Sequence, residues 1–124
     1  MFALHNQHRS AGGLASLQID GALVAIARQR AQDMAANNYF SHTSPSGGTA
    51  FSLMDAYGYA YAIAGENIAR NNYPESQTVS VAMNGFMNSA GHRANILESQ
   101  FTKVGIGVAY GSGGMIYYAV VFAG

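Results

Sequence analysis

The last quarter of the chain sets the strictest limit on the fold. Val104, Ile106, Val108 and Tyr110 alternate with Gly105, Gly107 and Ala109, which is the two-residue period of a strand with one large face and one small face. Gly111-Ser112-Gly113-Gly114 predicts a hairpin turn, and Met115 to Phe122 predicts the returning strand. That second strand is apolar almost without interruption, so both of its faces must be covered. The segments before it have to supply the covers. The expectation is an α+β chain built as a three-layer α/β/α sandwich, with a small antiparallel sheet between helices.

Those segments read as helices. Phe2 to Ala11 is a short helix stopped by Gly12-Gly13, in which Asn6 and Arg9 are expected to hydrogen-bond backbone and carboxylates and so pin it to the body. Asp20 is a fitting N-cap for a long helix whose apolar positions Leu23, Ile26, Ala27, Ala31 and Met34 carry it to about Asn37. Arg28, Gln29, Gln32 and Asp33 fall on its wet side. Its end delivers Tyr39, Phe40, Ser41 and His42, and Ser44-Pro45-Ser46-Gly47-Gly48 follows as a loop. Thr49 caps a shorter helix to about Tyr57. Gly58 to Ala64 has no helical period and reads as an extended connection into Gly65-Glu66-Asn67-Ile68. Pro74 and Glu75 suit the first turn of a further helix that ends near Asn88.

Length and composition narrow the function. At 124 residues the chain is expected to be one domain over 1–124. Six basic and six acidic side chains cancel, and the charged fraction of 10% is well below the roughly 25% of an average soluble protein. That argues against nucleic acid, which demands a basic face. With no cysteine, a disulfide framework, an iron–sulfur cluster and a thiol nucleophile are all excluded. No apolar run approaches the roughly 20 residues that span a bilayer, and no signal-peptide pattern opens the chain. A monomer is expected.

Few residues are left to carry chemistry. Asn88 to Leu97, Asn-Ser-Ala-Gly-His-Arg-Ala-Asn-Ile-Leu, can hold the His92 imidazole at the mouth of a cleft: Gly91 would let another backbone approach, and Ile96 and Leu97 would anchor the segment. His42 and Glu66 complete the candidate set. Two imidazoles and a carboxylate match a zinc site with an open position for water, and equally an acid–base cluster in which the carboxylate raises the histidine pKa values. Spacing leaves both readings open. His5 and His8 read as surface or packing residues. Tyr57, Tyr59, Tyr61 and Tyr73 are candidates to line a ligand groove near Glu66.

Three ordered motifs add a resemblance. Phe40-Ser41-His42-Thr43-Ser44-Pro45, Gly65-Glu66-Asn67-Ile68-Ala69 and the Asn88–Leu97 stretch, with Asn6 and Arg9 before them and Val104-Gly105-Ile106-Gly107 after, resemble the bacterial branch of the CAP superfamily. That superfamily takes in the cysteine-rich secretory proteins, antigen 5 and plant pathogenesis-related proteins, and its domain is also called the SCP domain. The resemblance implies the α/β/α sandwich and a central cleft where His42, Glu66 and His92 converge, able to hold Zn2+ or another divalent cation that is not obligatory. It also implies a secreted or cell-envelope protein with its signal peptide removed. Members have a His-Glu-Glu-His cluster. Here the second glutamate would fall near Asn88 or Ser89, Phe86 stands for the usual tryptophan, and Ala90 for the usual proline.

Three functions follow as expectations. First is a non-enzymatic binding module whose cleft holds His42, Glu66, His92, Ser41, Asn67, Ser89 and Arg93, with Asn6, Arg9 and Asn95 structural and a groove for a lipid, glycan or protein ligand. Second is a metal-dependent or serine-type hydrolase, a protease or esterase, with Ser41 or Ser89 as nucleophile, His42 or His92 as base and Glu66 orienting it; neither serine lies in a nucleophile-elbow sequence, and no HExxH is present. Third, the histidines serve only as satisfied polar groups between layers.

Overall fold

The computed structural model describes residues 1–124. In chain order the elements are α1 (Phe2–Ala11), β1 (Gln18–Ile19), α2 (Gly21–Asn37), α3 (Ala50–Ala56), β2 (Ala64–Asn71), α4 (Glu75–Met87), α5 (Ala90–Ile96), β3 (Lys103–Tyr110), a 3-10 turn (Ser112–Gly114) and β4 (Ile116–Ala123). The helix starts follow local chemistry. The Asp20 carboxylate accepts from the N–H groups of Ala22 and Leu23, and Thr49 and Ser52 form a reciprocal capping box. Asn38, in the left-handed region at φ 52°, closes α2 and turns the chain toward Tyr39–His42.

The sheet runs β1-β3-β4-β2. β3 and β4 form the expected hairpin, with Lys103 opposite Ala123 and Tyr110 opposite Ile116. Every residue of β4 is buried, and its alternation divides the core. Tyr117, Ala119, Val121 and Ala123 pack with Leu23, Ile26, Ala27 and Met34 of α2; Val120 and Phe122 pack on the other face with Met83, Phe86 and Ile96 of α4 and α5. The three-layer α+β body is therefore as the sequence predicts. The small face of β3 has a specific use. A Cβ on Gly105 or Gly107 would lie 2.1–2.4 Å from the α2 backbone at Leu23–Val24 and Ala27–Arg28, so α2 rides directly on the strand.

One expectation is corrected, and one strand is added. The sheet is mixed, because β1 pairs parallel to β3. The stretch holding Glu66 is a full strand, β2, antiparallel to β4 over eight residue pairs. Ala-Gly-Glu-Asn-Ile-Ala-Arg-Asn has one β-branched residue and no apolar alternation; pairing with an apolar neighbour, not its own propensity, makes it a strand.

Candidate functional site

The site is built on Arg30 and Glu66. Arg30 lies on the buried stripe of α2 with Leu23, Ile26, Ala27 and Met34, and β2 carries Glu66 to the same layer. Arg30 Nε donates to Glu66 Oε2 at 2.8 Å and Nη2 to Oε1 at 3.3 Å, with each side chain only 2% exposed. Arg30 also donates to the Tyr39 hydroxyl at 3.0 Å and to the Ser41 carbonyl at 2.6 Å. Burial by itself would lower the Arg30 pKa; the hydrogen bonds and charge of Glu66 more than offset this and leave it raised. Burial, together with the bond it donates to Asp33, pushes Tyr39 up to about 12.

His42 shares the same carboxylate. Its Nδ1 lies 2.8 Å from Glu66 Oε1, and an ion-paired carboxylate only accepts, so Nδ1–H donates and the neutral ring keeps its lone pair on Nε2. Across the cleft, His92 Nδ1 lies 2.8 Å from Ser89 Oγ, and its ring packs on Phe86 at a centroid distance of 5.3 Å. Burial, then the His42 charge, lowers the His92 pKa. The segment carrying His92 is clipped to β2: Asn67 Nδ2 donates to the His92 carbonyl at 3.0 Å, and Asn95 Nδ2 to Asn67 Oδ1 at 2.9 Å and to the Glu66 carbonyl at 3.3 Å. Gly65 permits this closeness, because a Cβ there would meet the Phe101 ring at 2.9 Å and Asn95 Oδ1 at 3.1 Å. A cleft of about 280 Å³ results, lined by His42, Glu66, Asn67, Ser89, Gly91, His92 and Asn95.

The arrangement differs from a three-ligand metal centre. No group of three or more His, Asp or Glu side chains is gathered for a metal ion, and both Glu66 oxygens are taken by Arg30 and His42. Glu66 orients His42 and neutralises Arg30. The donors left toward a cation are the Nε2 atoms of His42 and His92.

Other predicted site residues lie elsewhere. Ser41 turns its hydroxyl to the Thr43 N–H and contributes its carbonyl to Arg30. Arg93 is exposed and donates to the Met87 carbonyl, closing the end of α4. A Cβ on Gly91 would meet nothing within 4 Å, so no backbone approaches there. Tyr59 and Tyr61 pack against the α2 core, Tyr57 and Tyr73 are exposed, and none lines the cleft. At the first helix, Asn6 exchanges two hydrogen bonds with the Leu17 backbone. Arg9, 1% exposed, donates to the carbonyls of Ala15, Ile96, Glu98 and Phe101 and to no carboxylate. His5 is fully buried, with Nε2 lacking a partner, and burial lowers its pKa to about 4.

Arg30 is the site residue that the sequence reading omits. Its signal is periodicity: it falls three positions after Ala27 and four before Met34, inside the apolar stripe. An arginine in such a stripe requires a buried partner.

The fold and the histidine cleft define a class. The chain matches the cysteine-rich secretory protein family, CAP, over residues 2–122, and it belongs to that family. Among its relatives, the uncharacterized protein YkwD of Bacillus subtilis (strain 168) is 44% identical over 84% of this chain and 39% of its own length. The uncharacterized membrane protein YlbC of the same organism is 38% identical over 85% of this chain and 29% of its own. The crystal structure of an extracellular protein containing an SCP domain from Bacillus anthracis str. Ames superposes with a TM-score of 0.85 at 36% identity, covering 98% of this chain and 38% of that one. The chain thus spans about two fifths or less of each of these proteins.

Proposed function

We propose that this CAP domain is an extracellular, non-enzymatic binding module whose cleft takes a divalent cation between His42 and His92 and a lipid, glycan or protein ligand beside it. The observation that carries the reading is the division of the polar groups into two separate pairs. His42 is bonded to Glu66 and to no serine; Ser89 is bonded to His92, which has no carboxylate. A serine hydrolase needs nucleophile, base and orienting acid in one relay. The 2.8 Å contact between Ser89 and His92 is the one feature that favours the hydrolase alternative.

The donor chemistry suits a cation. Each histidine spends Nδ1 on a protein partner and leaves Nε2 without one; the Glu66 carboxylate fixes the His42 tautomer, and a carboxylate behind a metal-binding imidazole raises its basicity. A bound cation would supply a Lewis-acidic centre with positions open to ligand oxygen atoms. An extracellular site is supported by the Bacillus anthracis relative, described as extracellular. No helix here is long and apolar enough to cross a membrane.

Calorimetric titration of zinc into metal-free protein tests this. One ion per chain, lost when His42 and His92 are both changed to alanine, is the expected result; no binding to the unaltered protein would end the metal reading. Casein or ester hydrolysis that disappears in Ser89→Ala would replace the binding module with the hydrolase.

A further inference from the structure

The sheet ends in an open edge beside the cleft. In the order β1-β3-β4-β2, β2 is outermost. Ile63 and Gly124 exchange both of their backbone hydrogen bonds, which sets the parity of the ladder: odd-numbered residues of β2 turn N–H and C=O toward β4, and Glu66, Ile68 and Arg70 turn theirs outward. Asn95 occupies the Glu66 carbonyl. The outward N–H and C=O groups of Ile68 and Arg70 bond to nothing in the protein.

These groups face a groove of about 320 Å³ that wraps the edge, with Phe40 on one side and Ala82 and Gly85 of α4 on the other. The groove shares Ser89 and His92 with the histidine cleft. Arg70 is exposed, with its guanidinium carbon 4.8 Å from the centre of the Phe40 ring. It has no carboxylate partner, since both ion pairs of the protein converge on Glu66.

We propose that this groove binds an extended acidic segment of another protein by strand addition to β2; the inference deepens the binding-module reading and rests on it. The added strand pairs its own N–H and C=O groups with those of Ile68 and Arg70, bonds that any sequence can make. Specificity comes from alternation, because successive side chains of the added strand point to opposite faces. One set meets Arg70 and Phe40, where a carboxylate finds a cation without a partner. The other set meets Ala82 and Gly85, where a Cβ added at Gly85 would touch nothing within 4 Å and small apolar side chains fit.

The probe is the synthetic peptide acetyl-Glu-Val-Glu-Val-Glu-amide, read by calorimetry and by amide hydrogen exchange. Binding should slow exchange of the Ile68 and Arg70 amides by about tenfold or more, and leave Asn67 and Ala69, already bonded to β4, unchanged. Backbone N-methylation of the peptide, and separately Arg70→Glu, should each weaken binding about tenfold or more. Gly85→Leu should block the groove while zinc binding at His42 and His92 persists. The proposal is overturned by absence of peptide binding at millimolar concentration while zinc still binds, or by binding that leaves the Ile68 and Arg70 amides unprotected. Peptide binding with these signatures but without zinc binding would uphold the groove and remove the cation alone.

Discussion

Arg30 and Glu66, 36 positions apart, meet through two N–H···O bonds with both side chains all but sealed from solvent. The pair joins the helix layer to the sheet edge at the point where the cleft opens. Its charge balance lets a buried carboxylate sit under His42. In a chain this poor in charge, it is the one ion pair between two fully buried side chains.

Removing one partner leaves the other as a buried, uncompensated charge. Arg30→Met is expected to lower stability by about 3–5 kcal/mol, and adding Glu66→Leu to that variant should restore much of the loss. Urea denaturation of the two variants decides it; equal stability of single and double variants would mean that the pair is not coupled as described.

Glu66→Gln leaves the volume nearly unchanged and removes the negative charge behind His42. Zinc affinity is expected to fall about 10- to 100-fold through loss of that orienting group, with stoichiometry unchanged. If Glu66 were a direct ligand, the loss would be larger and would come with altered coordination in the absorption spectrum of the cobalt-substituted protein.

His5 makes stability depend on pH. Its pKa is about 4 in the folded state against an ordinary 6.5, so the unfolded chain takes up the proton first as pH falls. Stability contributed by the neutral buried ring is complete above about pH 6.5, declines as pH drops toward 4, and totals up to about 3 kcal/mol. His5→Leu should flatten the stability profile between those two pH values relative to the unaltered protein. A slope that stays the same would assign the pH dependence to other groups.

Gly107 and Gly91 should respond oppositely to alanine. A methyl at Gly107 would lie 2.3–2.4 Å from the α2 backbone, so Gly107→Ala is expected to cost several kcal/mol, of order the 1–3 kcal/mol of an overpacked core and above. Gly91, in α5 with open space around its Cα, should gain up to about 1 kcal/mol from Gly91→Ala. Thermal unfolding of the two variants checks both signs.

Much of the fold was legible because its signals are local. The caps at Asp20 and Thr49 act within three residues, and the alternation of β3 states its own period. In the site, His42, Glu66, Asn67, Ser89 and His92 do border one cleft. Ser41 and Arg93 do not: the Ser41 hydroxyl accepts from Thr43 N–H in its own turn, and Arg93 donates to the Met87 carbonyl at the end of the preceding helix, and a motif does not reveal where a side chain will be satisfied. The close backbone approach expected at Gly91 occurs at Gly105 and Gly107 instead: only the packing of α2 on β3 distinguishes a glycine that is crowded from one that is not.

By itself, then, the sequence determined what depends on near neighbours: helices α1 to α4 and where they start, that β3 and β4 pair, and which family's motifs the chain carries; the short helix α5, within the motif Asn88–Leu97, was not legible in it. Tertiary structure alone decided that Ala64–Asn71 is a strand, that Arg30 neutralises Glu66, and that Glu66 pairs with His42 and not with His92. The physical reason is distance along the chain. Hydrogen bonds between residues 24 to 36 positions apart, and a ladder joining Ala64 to Ala123, leave no periodic trace in either partner, because each depends on a surface that exists only once the layers have packed.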